Sequence, residues 1–166
     1  MGKYPGAPRK TKSNVKFLIY WLHPVTVRGG FAMQEAPMAE FHMIQGAARP
    51  VAPFSHAVEA DGWVILTGQM PTDPNAPDAP LPDGIKAQTH QVMRNLSLVL
   101  EGVGLDLSHV VQCRCYLTEF ERDYAVFNVT YASYFPADRR PARTTVGVTA
   151  LAVGALVEID MVARRP

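Results

Sequence analysis

Residues 139–166 read RRPARTTVGVTALAVGALVEIDMVARRP. Two strand-like runs stand out in it, 143–149 (RTTVGVT) and 156–163 (LVEIDMVA). Side chains alternate across a strand, so Arg143, Thr145 and Gly147 share one face while Thr144, Val146 and Val148 take the other. In the second run Glu158 and Asp160 share a face, opposite Val157, Ile159 and Met161. A charge among buried strand residues costs several kcal/mol unless it is paired or reaches solvent. Two readings follow. If the strands are neighbours, Arg143 and Glu158 form a cross-strand ion pair. Alternatively they serve a cleft, where the planar fork of Arg143 suits a carboxylate and Glu158 can orient or deprotonate a water. Thr145 and Gly147 leave room beside the arginine in that second reading.

Outward from these runs the pattern is regular from about residue 48. FSHAVEA (54–60), the Asp61-Gly62 pair and WVILTGQ (63–69) spell a β-hairpin. TDPNAPDAPLPDG (72–84) is an exposed loop ending at Asp83, a candidate N-cap. The spacing of Ile85, Val92, Met93, Leu96, Val99, Leu100 and Val103 predicts a helix over 84–102, stopped by Gly102 and Gly104. HVVQCRCYLTEF (109–120) alternates as a strand. Asp123 can cap a second helix whose stripe is Tyr124, Phe127, Tyr131, Tyr134 and Phe135, with Pro136 ending it.

The resulting order, β-β-α-β-α-β-β, implies an α+β layer with two helices on one face of a mixed sheet. The strands place Val, Ile, Leu and Trp on both faces. Two helices cannot cover both, so the open face is expected to be buried against other subunits.

Cys113 and Cys115 point the same way on one strand and read as buried thiols, since a metal or redox site lacks a second cysteine pair. Two thiols without a disulfide framework fit a reducing cytoplasm. The five histidines lack metal-ligand spacing, and there is no GxGxxG, P-loop, HExxH or GxSxG motif. Ser55 and His56 are adjacent on a strand and face opposite ways, which excludes a nucleophile–base pair. Residues 1–45 carry six Lys/Arg against two acids, leaving ten basic and thirteen acidic side chains in 46–166, a net of −3. A body of that sign offers no electrostatic case for nucleic acid. Residues 1–45 read as a leader outside the domain at 46–166, with Met33, Met38 and Met43 as candidate natural starts. Its stretch VKFLIYWLHPV (15–25) is too short for a membrane helix and lacks a cleavage site close behind.

APFSHAV, LTGQMP, FNVTYASYF, RPARTTV and LVEIDMVA, in that order, resemble the RidA family (YjgF/YER057c/UK114) of reactive-imine deaminases. The resemblance spans roughly 48–164. It implies a chorismate-mutase-like fold and a homotrimer with active sites between subunits. It also implies that Arg143 holds a substrate carboxylate and that Glu158 positions or activates the hydrolytic water. Thr67, Gly68, Gln69 and Asn128 fall on pocket-lining positions, and Thr145 stands where the family has cysteine. Phe54 replaces the tyrosine of the family's G-P-Y motif, keeping the ring without its hydroxyl. The expected activity is deamination of small 2-imino or enamine acids to 2-oxo acids and ammonia, without metal or organic cofactor. An aminomuconate-type enamine substrate and a non-catalytic trimer binding small carboxylates or a partner protein are the alternatives.

Overall fold

The computed structural model describes residues 39–166. The stretch VKFLIYWLHPV and the candidate starts Met33 and Met38 lie outside the described residues. Eight regular elements follow one another: β1 (Glu40–His42), β2 (Ala57–Ala60), β3 (Trp63–Gln69), α1 (Gly84–Gly102), β4 (Val110–Leu117), α2 (Phe120–Ala132), β5 (Ala142–Gly147) and β6 (Val157–Arg164).

The hairpin turns where the Asp-Gly pair requires it, with Asp61 at φ 50° and Gly62 at φ 73°, the left-handed geometry that matches strand twist. Helix α1 has the predicted bounds. Asp83 sits at its N-cap with extended backbone, but its side chain makes no capping hydrogen bond. Helix α2 starts earlier than Asp123 suggests. The Asp123 amide already donates to Glu119 O at 2.9 Å, so Asp123 is within the first turn and Glu119 occupies the cap. The Asp123 carboxylate is gripped by both Nε and Nη2 of Arg122, at 2.8 and 2.7 Å. Of the aromatic stripe, Phe127, Tyr131 and Phe135 are buried, whereas Tyr124 stacks on Phe120 at the surface.

The strands form one mixed sheet in the order β1-β2-β3-β6-β4-β5. Only β4 and β5 are parallel, joined by the crossover through α2 that parallel neighbours need. The last strand therefore inserts between β3 and β4, antiparallel to both. Val157, Ile159, Met161 and Ala163 of β6 are fully buried under the helices with Leu66, Met93, Leu96, Leu100 and Phe127.

The segment assigned to a leader contributes to this body. β1 pairs antiparallel with β2, and Ile44 packs on the core, where a Cβ added at Gly102 would lie 2.9 Å from its Cδ1. Three strand residues of mixed polarity carry too little periodicity to be read, which is why the boundary at residue 45 needs correcting. The face without helices carries an apolar row through the register Phe41–Val58–Ile65–Val162. Phe41 is 71% exposed, Ile65 52% and the neighbouring Trp63 46%. Among the described residues no helix is long and apolar enough to cross a membrane.

Candidate functional site

Arg143 and Glu158 do not form an ion pair. β4 separates their strands, and its register puts them on opposite faces: Cys113 pairs with both Arg143 and Met161, while Tyr116 pairs with Glu158. Arg143 thus shares the helix face with Met161, and Glu158 shares the open face with Tyr116. The predicted site residues fall into two groups that one chain does not bring together.

The first group is built around the end of β3. Between Leu66 and Gln69, β3 advances three residues while β6 moves only from Met161 to Ile159, so the strand bulges at Thr67-Gly68. Several bonds hold the bulge. Thr67 Oγ1 donates to Ser55 O at 2.6 Å, and the Gln69 amide donates to Thr67 O at 3.1 Å. Gln69 therefore supports the wall more than it presents a free amide. Buried His56 ties down the preceding segment, accepting from the Ile44 amide through Nδ1 and donating through Nε2 to Ala48 O, both at 2.9 Å. The cavity, of about 240 Å³, is lined by Arg49, Phe54, Thr67, Gly68, Gln69 and Glu158 among others.

Gly68 leaves the space that the Glu158 side chain occupies. A Cβ at this position would lie 2.9 Å from Glu158 Cδ and closer still to its oxygen. Burial, and then the charge of neighbouring Asp160, pushes the Glu158 carboxyl above the ordinary carboxylate range. Asp160 is itself held by Arg114 Nε at 2.9 and 3.1 Å and by the Tyr116 hydroxyl at 3.1 Å. Glu158 is left as the half-buried carboxyl of the pocket with proton affinity to use.

The second group joins α2 to the edge strand β5. The Arg143 guanidinium lies over Tyr131, 4.8 Å from its ring centroid, and 5.7 Å from that of Phe127. Such stacking fixes the plane of the cation and leaves its edges for an anion. Around it Asn128 Oδ1 is buried without a hydrogen-bond partner, while the buried Tyr131 and Thr145 hydroxyls have only the Cys113 and Cys115 thiols beside them. Buried polar atoms without partners are rare and mark a place where another group belongs. This cavity, of about 300 Å³, is lined by Asn128, Tyr131, Ala132, Arg140, Pro141 and Arg143. Beneath it, burial pushes the Cys113 and Cys115 thiols up to about 11 and about 12, so neither supplies a thiolate near neutrality.

Sequence reasoning missed supporting residues on both sides. Asn95 of α1, fully buried, donates to Met70 O and Thr72 O at 2.8 Å each and holds the wall that follows Gln69. Its position on the core face of a helix was the available signal, since an amide there needs partners. Arg49 and Tyr131 reach the two cavities from segments whose patterns gave no hint of either.

A family model described as "Endoribonuclease L-PSP" matches residues 45–165. A RutC family protein of Pyrococcus horikoshii is 36% identical over 126 residues, covering 76% of this chain and 98% of its own length. Protein DfrA of Myxococcus xanthus is 43% identical over 119 residues, covering 70% and 88%. Among solved structures, RidA from the Antarctic bacterium Psychrobacter sp. superposes with a TM-score of 0.69 at 33% identity, covering 75% of this chain and 99% of that one. The YjgF gene product of E. coli gives 0.69 at 25% identity, covering 76% and 100%.

Proposed function

This chain belongs to the Endoribonuclease L-PSP family, with RidA and YjgF among its structural relatives, and from that premise we propose that it is a hydrolytic imine deaminase whose site forms between copies. The proposed substrates are small 2-imino acids and their enamine tautomers, converted to 2-oxo acids and ammonia. The observation that carries the reading is the separation of Arg143 and Glu158 onto opposite faces of one sheet, each in an incomplete cavity. A second copy supplies the missing half of each, and the exposed Phe41–Ile65 face favours assembly as a homotrimer.

In this mechanism Arg143 binds the substrate carboxylate through its free edges and so places the imine carbon against the Glu158 cavity. Glu158 accepts a proton from water as the water oxygen bonds to the imine carbon and the C=N electron pair moves to nitrogen. The Glu158 proton is then delivered to that nitrogen. Glu158 then takes the hydroxyl proton and passes it to the amino nitrogen as the C–N bond breaks, which releases ammonia and leaves the 2-oxo acid. A carboxyl with raised proton affinity suits both halves of this exchange. Phe54 offers a ring without a phenol hydroxyl, so water activation rests on Glu158.

Nuclease action finds less support, because residues 46–166 carry a net charge of −3. The test is ammonia release from 2-iminobutanoate generated in situ by an amino-acid oxidase. Release above the uncatalysed rate that is lost in Glu158→Gln supports the proposal. An unaccelerated rate with bound 2-oxobutanoate would leave a carboxylate-binding protein instead.

A further inference from the structure

We infer that Arg140 is a second carboxylate-recognising residue, which makes 2-imino and enamine dicarboxylates the preferred substrate class. The inference rests on the reading of the Arg143 cavity as a carboxylate site. Two arginines, Arg140 and Arg143, line that cavity, and no acidic residue does. Neither arginine belongs to any of the ion pairs among the described residues. Two cations confined to one concave space repel each other, and a single carboxylate answers only one of them.

The two arginines also differ in their setting. The Arg143 guanidinium lies over the Tyr131 and Phe127 rings, an arrangement suited to the group that fixes the reacting end of the substrate. Arg140 lacks such stacking and precedes Pro141, which biases its backbone towards the extended region and away from the helix just ended. It is therefore the outer group, suited to a distal carboxylate a few atoms from the first. Asn128, whose Oδ1 is buried without a hydrogen-bond partner, lines the same cavity as a neutral polar group for the connecting atoms.

The experiment compares binding of 2-oxoglutarate and 2-oxobutanoate, products of the dicarboxylate and monocarboxylate classes, by calorimetry on the assembled full-length protein. Wild type should bind 2-oxoglutarate about tenfold more tightly or better, the gain expected for one added charge-assisted contact. Arg140→Ala should bring the two affinities together, and Arg140→Lys should restore part of the difference. Equal affinities in wild type would overturn the inference, as would an Arg140→Ala variant that weakens both ligands alike. Deamination of 2-iminobutanoate and 2-iminoglutarate is measured separately. Failure of both substrates would sink the deaminase reading, while the affinity ratio still decides the role of Arg140.

Discussion

The Glu158 cavity and the Arg143 cavity are built by opposite means. Around Glu158 the sheet itself does the shaping: a bulge and a bare glycine make room for one carboxyl, and burial, then the charge of a second acid at i+2, raises its proton affinity. Around Arg143 a helix does it, laying two aromatic rings under a cation and leaving the buried Asn128 Oδ1 unanswered. One half tunes an acid–base group and the other presents a fixed positive charge. On the proposed function, the difference teaches that neither half serves alone: a base without a substrate anchor and an anchor without a base require each other.

The sharpest way to break this division is to remove the anchor. Arg143→Ala takes away one side of a charge-assisted contact, a loss of about 2–5 kcal/mol, so kcat/KM should fall about 30- to 3000-fold. Arg143→Lys should recover only part, because an ammonium lacks the planar fork. Turnover unchanged in Arg143→Ala would assign the residue to the scaffold. Next in size is Gly68→Ala, which pushes the new methyl into the Glu158 carboxylate. Displacing that group should lower kcat by roughly one to two orders of magnitude, within the span of general acid–base catalysis, with KM little changed. An unaltered kcat would show that the position of Glu158 is not critical.

Much of this framework was legible in the sequence. The bounds of α1, the Asp-Gly hairpin and the face assignments within β5 and β6 follow from periodicity, which reports burial along each element. Periodicity is silent about neighbours. Nothing in RTTVGVT or LVEIDMVA says that β4 lies between them, and hence that Arg143 and Glu158 face apart. Asp123 misled because an acid in the first turn and an acid at the cap serve the same helix dipole. The bulge at Thr67-Gly68 and the anchoring by Asn95 depend on contacts between elements, which a single strand or helix pattern does not encode.

Two smaller effects sharpen the comparison. A chain beginning at Gln45 loses β1, the Ile44 core contact and the bond from the Ile44 amide to His56. Losing the Ile44 side chain alone is worth about 1.5–3 kcal/mol when fully buried, and less here because it is part-buried. Its Tm should therefore fall by several degrees relative to a chain beginning at Ala39. Equal melting would place 39–44 outside the stabilised body.

The pH profile is the mildest test. Because the folded protein raises the Glu158 pKa, the base is protonated and inactive below that value. The acid limb of kcat/KM should therefore lie above the ordinary glutamate range. The same raised pKa means that ionising Glu158 costs stability as pH climbs from the ordinary glutamate value through the raised one. Glu158→Gln should therefore melt slightly higher than wild type at neutral pH. An acid limb at the ordinary glutamate value would remove burial as the tuning device.

The central claim, one site from two copies, is tested most directly by subunit mixing. Arg143→Ala and Glu158→Gln homomers are each prepared, then unfolded and refolded together in equal amounts, with wild type carried through the same cycle. If each site takes Arg143 from one copy and Glu158 from the next, about a quarter of the sites in random mixed rings hold both native residues. The mixture should then recover about a quarter of wild-type deaminase activity. Recovery no greater than the average of the two inactive homomers would contradict the account, since it would mean that both residues must come from the same chain.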